Sequence, residues 1–339
     1  MRQSACKPGW HWCWGAVALV ALMLAWPAAG AAQQKIQMRI ATVVVPPSTI
    51  FVGTDQFKKR VEELTNGRVE VIVYKGTLGK GERQLYEALQ LGTLEGVTIT
   101  MGSLSGFVPE ADLVNLPFLF KNSAHAFKAM DGEIGKWLNE KTIAKGFRTL
   151  GWWTIGTRNT SNRTRPINKP EDYKGLKIRT MESPPFIALY KAMGAIPVPM
   201  SITEVYTALS QGTIDGIDGA LTSQLEFKHI EVLKYAAVTD HVILLFPLTV
   251  AEKWWQGLPA DIREAILKAE AEVRPIQRKA DEEYNKSIED EWKKRGKIIT
   301  HPDIKAFQQI AETIYPQFYD KIGGKEIVDR VRKIGEEMR

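Results

Sequence analysis

Apolar positions follow two rhythms along this chain. Short runs rich in branched and aromatic residues, Met38 to Val44, Val69 to Tyr74, Val97 to Thr100, Arg148 to Ile155 and Ala236 to Phe246, predict strands. Between them, segments such as Ile50 to Thr65 and Phe186 to Met193 carry apolar residues at helical spacing. Strands alternating with helices predict the α/β class, with mainly parallel sheets flanked by helices and right-handed crossovers. After residue 250 the rhythm changes. Pro259 to Arg295 is a charged helical pattern with an apolar stripe at Ile262, Ile266, Ala269, Val273 and Ile276, and Trp292 further on. One helix of that span extends about 55 Å at 1.5 Å per residue, enough to brace two α/β lobes. Two shorter helices, Ile304 to Tyr315 and Lys325 to Met338, are expected to pack on the second lobe.

An internal repeat explains why two lobes are expected. Tyr86-Glu87-Ala88-Leu89-Gln90-Leu91-Gly92-Thr93-Leu94-Glu95-Gly96-Val97 matches Tyr206-Thr207-Ala208-Leu209-Ser210-Gln211-Gly212-Thr213-Ile214-Asp215-Gly216-Ile217. Each copy reads as the end of an amphipathic helix, a glycine suited to a left-handed cap, and the start of a buried strand. Either the unit occurs once per lobe, with a cleft between similar lobes, or both copies use a common helix stop independently.

The first 32 residues read as an export signal. Arg2 and Lys7 form a positive start, Trp14 to Trp26 is apolar, and Ala28-Ala29-Gly30-Ala31-Ala32 offers small residues for cleavage. The alternative is a membrane anchor, but the run is shorter than the roughly 20 residues that span a bilayer. No cysteine follows it to carry a lipid. Cys6 and Cys13 both lie within the signal, so the mature chain is expected to have no disulfide and no thiolate metal site. Removing Arg2 and Lys7 takes the formal charge from +6 to +4, with the remaining charges interspersed. That balance excludes the concentrated basic face of a nucleic-acid binder. No second long apolar stretch appears, so no stable membrane insertion is expected after cleavage.

Candidate chemistry centres on Lys174-Gly175-Leu176-Lys177-Ile178-Arg179-Thr180, a short strand leading into a helical run from Pro185 to Gly194. Open α/β sheets collect ligands at the carboxyl ends of their strands. A guanidinium there offers a charged planar fork that fits a carboxylate, so Arg179 is a candidate anion clamp; an ordinary surface ion pair is the alternative. Upstream, Gly151-Trp152-Trp153-Thr154-Ile155-Gly156-Thr157-Arg158 delivers another arginine at a strand end, and Gly212 to Gly219 is a further helix-to-strand step.

In this order and spacing, the pieces resemble the substrate-binding proteins of TRAP transporters, the DctP-like family of periplasmic organic-acid receptors. The resemblance runs from Ile40-Ala41-Thr42 to His301-Pro302-Asp303. It implies two lobes, residues 33–155 with 245–284 and residues 156–244 with 285–339, hinged near 155 and 245 and braced by the long helix. It gives the main carboxylate pairing to Arg179 and an assisting role to Arg158, two like charges that an anion would relieve. Where relatives often have Glu-Asn or Glu-Trp this chain has Asp218-Gly219, so the resemblance names no particular acid. Glu182 either accepts from a substrate hydroxyl or amine or caps the following helix. Met101, Gly102 and Ser103 are expected on the opposite wall, and Phe118, Trp153 and Phe186 are either apolar walls or core. The implied partners are a small organic acid anion and the integral-membrane subunits of a TRAP transporter. A periplasmic sensor or scavenger of the same fold is the other reading.

Enzymatic constellations are poor. His125, His229, His241 and His301 have no metal-ligand spacing, so no metal site and no cofactor is expected. Gly76-Thr77-Leu78-Gly79-Lys80-Gly81 lacks the phosphate-loop spacing and reads as a loop. Leucine holds the nucleophile position of Gly102-Ser103-Leu104-Ser105-Gly106. A receptor, not an enzyme, is the expected class.

Overall fold

Nine strands among the described residues hydrogen-bond into one mixed sheet: β1 (Ile36–Thr42), β2 (Val69–Lys75), β3 (Gly96–Thr98), β4 (Phe147–Asn162), β5 (Lys177–Thr180), β6 (Ile196–Pro199), β7 (Gly216–Gly219), β8 (Tyr235–Ala251) and β9 (Ile298–Thr300). The structure is a computed structural model that describes residues 35–78 and 81–338, together with Gln3 and Ala5. The expected cleavage region lies outside the described residues, as do Gly79 and Lys80.

The sheet order is β2-β1-β3-β8-β4-β7-β5-β6, with β9 on β8. In the first half, β1 lies parallel to both β2 and β3; in the second, β5 lies parallel to both β6 and β7. Met38 and Ile40 alternate inward from β1 and lie opposite Val71 and Val73, while the crossover helix Ile50–Leu64 buries Ile50, Phe57 and Val61. That is the burial expected of parallel strands covered by helices.

The repeated unit has the same form in both halves. Gly92 and Gly212 take φ values of +71° and +75°, the left-handed region where glycine has no side-chain penalty. Behind them Thr93 N–H donates to Ala88 O and Thr213 N–H to Ala208 O, each at 3.0 Å, closing the two helix ends alike. The chain then enters β3 beside β1, and β7 beside β5.

The middle of the sheet departs from the mainly parallel expectation. β4 and β8 are long strands of 16 and 17 residues, antiparallel to one another. β4 does not stop at Ile155. It runs on to Asn162 and pairs with β7, while β8 reaches back to β3, so each strand serves both halves. Their register shifts between Thr154 and Thr157, where Gly156 has φ +87°. A Cβ at Gly156 would stand 2.5 Å from Asn285 Oδ1, so both backbone and space require glycine there.

The long helix, Ala260–Lys294, has 35 residues and spans about 52 Å. Its buried face continues the stripe of Ile262, Ile266, Ala269 and Val273 through Gln277, Asp281, Ile288 and Trp292. Ile276 falls off that stripe and is exposed, because polar Gln277 takes the inward position. Gln277 Nε2 donates to Thr154 O at 2.7 Å and its Oε1 accepts from Thr154 N–H at 3.2 Å, tying the helix to β4 just before the bulge. Helix Ile304–Ile314 packs on helix Pro184–Ala192, in the second half. The last helix, Lys325–Glu336, departs from expectation and packs on Ser123–Asp131, with His125 Nε2 2.8 Å from Val331 O.

Candidate functional site

Arg179 is the last residue but one of β5, shortly before helix Pro184–Ala192, and its side chain turns inward to 2% exposure. Nε donates to Met200 O at 2.9 Å, which fixes the plane of the guanidinium. Among the described residues no carboxylate lies within ion-pairing distance of it. Burial pushes its pKa down to about 10, with Glu82 acting upward and Arg158 downward. A buried guanidinium with its fork unpaired is costly, and an anion relieves that cost.

Arg158 stands differently. It lies within β4, past the bulge, not at a strand end, and β7 presents Asp218 to it. Arg158 Nε lies 3.1 and 3.0 Å from the two Asp218 carboxylate oxygens, Nη2 donates to Asp218 O at 2.8 Å, and the guanidinium sits 4.4 Å from the Phe186 ring centre. His241 Nε2 is 3.1 Å from Asp218 Oδ1. Burial opposes ionisation of Asp218, but the charge of Arg158 and the His241 bond outweigh it and hold the carboxyl at about 2. Asp218 is therefore spent inside the wall of the site, and Arg158 contributes a charge already balanced.

Two cavities meet at Arg179. The inner one, about 40 Å³, has Arg179, Arg158 and Gly219 on its wall, with Val43 and Val44 from the first half and Leu244 and Phe246 from β8. The outer one, about 310 Å³, is polar and includes Arg179, Glu182, Ser103, Glu82, Arg83 and Glu204. A larger hollow of about 800 Å³ runs beside the long helix at Thr154, Arg278 and Asn285, but has neither arginine of the motif pair on its wall. Size alone does not mark the site.

The sequence candidates divide accordingly. Arg179, Arg158 and Gly219 come together at the inner cavity, and Arg179, Glu182 and Ser103 at the outer. Asp218, Met101 and Phe118 line neither. Met101 is buried in the first half, and the Phe118 ring packs 6.4 Å from His241 with its N–H on His241 O at 2.6 Å. Trp153 is core, its Nε1 donating to Glu270 Oε1 at 3.2 Å, and Phe186 lies under Arg158. Sequence reading missed Glu82, Val43, Val44, Met181 and Gln224. Glu82 opens helix Glu82–Gln90 directly after the glycine-rich segment, which was its one available signal. Gln224 had none. Its Nε2 donates to Gly219 O at 3.1 Å and its buried Oε1 has no partner. His229 is also buried with neither ring nitrogen paired, and burial together with the Arg179 charge pushes it down to about 3.

Residues 40–322 match the family described as bacterial extracellular solute-binding protein, family 7, DctP. The chain belongs to this family. A solute-binding protein of Verminephrobacter eiseniae is 36% identical over 307 residues, 90% of each chain. The C4-dicarboxylate-binding periplasmic protein DctP of Rhodobacter capsulatus is 31% identical over 318 residues, 92% of this chain and 94% of its own. Among solved structures, a TRAP periplasmic solute-binding protein of Sulfurospirillum deleyianum with bound succinate superposes with a TM-score of 0.82 at 34% identity, covering 88% of this chain and 99% of that one. That solved structure shares the fold of this chain, and no helix among the described residues is long and apolar enough to cross a membrane.

Proposed function

We propose that this protein is the periplasmic receptor of a TRAP transporter, taking an organic carboxylate on Arg179 and delivering it to the integral-membrane subunits. The observation that carries the reading is the Arg179 fork, buried at the meeting of two cavities and unpaired among the described residues, while the neighbouring Arg158 is neutralised by Asp218. Two of the relatives support it, one described as a C4-dicarboxylate-binding periplasmic protein and one solved with bound succinate. Arg158 acts on the ligand through position: with Asp218 and His241 it forms a rigid floor behind Arg179. The residues of both sheet halves on the cavity walls give a ligand contacts on each side, so a ligand favours the closed arrangement. The reading assigns no catalytic step to any of these groups.

Calorimetry of the protein lacking its first 32 residues, against a panel of organic acids and their neutral amides, tests this. At least one acid binds, its amide does not, and Arg179→Ala removes the binding. Equal affinity for acid and amide would exclude the reading.

A further inference from the structure

We infer that the carboxylate held by Arg179 belongs to a compact, largely apolar monocarboxylate bearing a hydroxyl group, and not to a dicarboxylate or a polyhydroxy acid. The inference rests on the proposed role of Arg179 and goes beyond it by naming what the rest of the ligand is.

The first argument is a count of available cations. Arg158 is the other guanidinium of the inner cavity, and its charge is met at close range by Asp218. A second carboxylate entering there finds no free cation. It finds Glu82 instead, which is 8% exposed and lines both cavities. Like charges in a site of low polarity repel strongly. In the outer cavity Arg83 is no substitute, because it is exposed, pairs with Glu87 at 3.2 Å and lies over the Phe107 ring. The charge pattern around Arg179 therefore accepts one anion and opposes two.

The second argument is the wall. Val43, Val44, Ile155, Leu244 and Phe246 are all 5% exposed or less, and they meet the inner cavity from both sheet halves. Hydroxyls pressed against such groups lose water without gaining partners, whereas a hydrocarbon body gains by burial. The third is Gln224. The residue lies on the same wall, and with Nε2 donating to Gly219 O its Oε1 is a buried acceptor with no hydrogen-bond partner. Buried acceptors are rarely left alone, and a turn of this amide into the cavity lets a single ligand hydroxyl satisfy it.

The test is calorimetry with five probes: α-hydroxyisovalerate, β-hydroxyisovalerate, isovalerate, succinate and gluconate. One of the two hydroxy acids is expected to bind about tenfold or more tightly than isovalerate, the gain for one hydrogen bond to an otherwise unsatisfied buried group, and more tightly still than succinate or gluconate. Gln224→Leu, or Gln224→Met if the first variant does not fold by circular dichroism, should collapse the ratio between hydroxy acid and isovalerate to about one. Succinate or gluconate binding as tightly as the best monocarboxylate overturns the inference and leaves the receptor reading standing, as does isovalerate equalling both hydroxy acids in the unmodified protein. If instead the best probe keeps its affinity in Arg179→Ala, the receptor reading itself is lost.

Discussion

At the scale of single residues, the two motif arginines do opposite jobs with the same side chain. Arg179 is buried with a free fork, so on the proposed reading its removal takes away an attraction made only with ligand. Arg179→Ala should weaken binding by roughly 2–5 kcal/mol, and Arg179→Lys should not restore it, since a point charge lacks the planar fork. Calorimetry on folded variants measures both. Arg158 and Asp218 instead hold the wall. Asp218→Ala strands a guanidinium that is 2% exposed, and should cost about 3–5 kcal/mol of stability by urea titration. Replacing both partners together, Arg158→Met with Asp218→Leu, should cost clearly less than the single change. Arg179 was legible in the sequence because its motif is contiguous: strand, arginine, helix start. The Arg158 to Asp218 pairing was not, because the partners lie 60 positions apart and a carboxylate near an expected site looks substrate-facing until its own counter-ion is seen. Gln224 and Val44 carry no local pattern at all. Only the approach of separate strands and helices makes them neighbours.

Among the elements, the helices and most strands were readable from periodicity, while β4 was read seven residues short. Its continuation, Gly156-Thr157-Arg158-Asn159-Thr160-Ser161-Asn162, is polar yet almost wholly buried, satisfied by partners such as Asp218 for Arg158 and the Thr239 and Asp240 N–H groups for Asn159. An apolar rhythm cannot report a strand whose burial is met by hydrogen bonds. The same crossing region holds two acids. Asp281 of the long helix accepts from Thr49 Oγ1 at 3.1 Å, beside the start of helix Ile50–Leu64, and Glu226 ends helix Leu221–Glu226 with a buried, unpartnered Oε2. Burial pushes Asp281 up to about 7; burial and the Asp281 charge push Glu226 up to about 8. Folded pKa values above the unfolded ones mean that the folded chain holds protons the unfolded chain has released. The resulting stability is complete below the unfolded values near 4, falls as pH rises from there toward the folded values, and is gone above about 7 for Asp281 and about 8 for Glu226. His229 works the other way, but only below its unfolded value near 6.5. The thermal midpoint should therefore fall between about pH 6.5 and about pH 8 and level off above that, and Glu226→Gln should flatten the slope. A slope unchanged in the variant would clear Glu226 of the effect.

For the whole molecule, the repeat in the sequence announced two similar halves, and each half indeed has a central strand flanked by two parallel neighbours. What the sequence did not announce is how thoroughly the halves are stitched together. Val43 and Val44 on one side and Gly219 and Gln224 on the other face one small cavity, so a ligand that touches both should draw them together. Small-angle scattering should record a smaller radius of gyration with a bound acid than without, and no such change in Arg179→Ala. An unchanged radius at saturation would mean that binding does not require closure.

The bulged crossing strands have one more consequence, for how the protein comes apart. β4 and β8 each supply hydrogen bonds to both halves, and the long helix is pinned to β4 by Gln277. Neither half can lose its sheet without tearing strands out of the other, and no unbroken stretch of chain contains everything one half needs. Heating in a calorimeter should therefore give a single cooperative transition whose van't Hoff and calorimetric enthalpies agree, and an isolated fragment ending at Ile155 should remain unfolded. A receptor proposed to close as two bodies should melt as one.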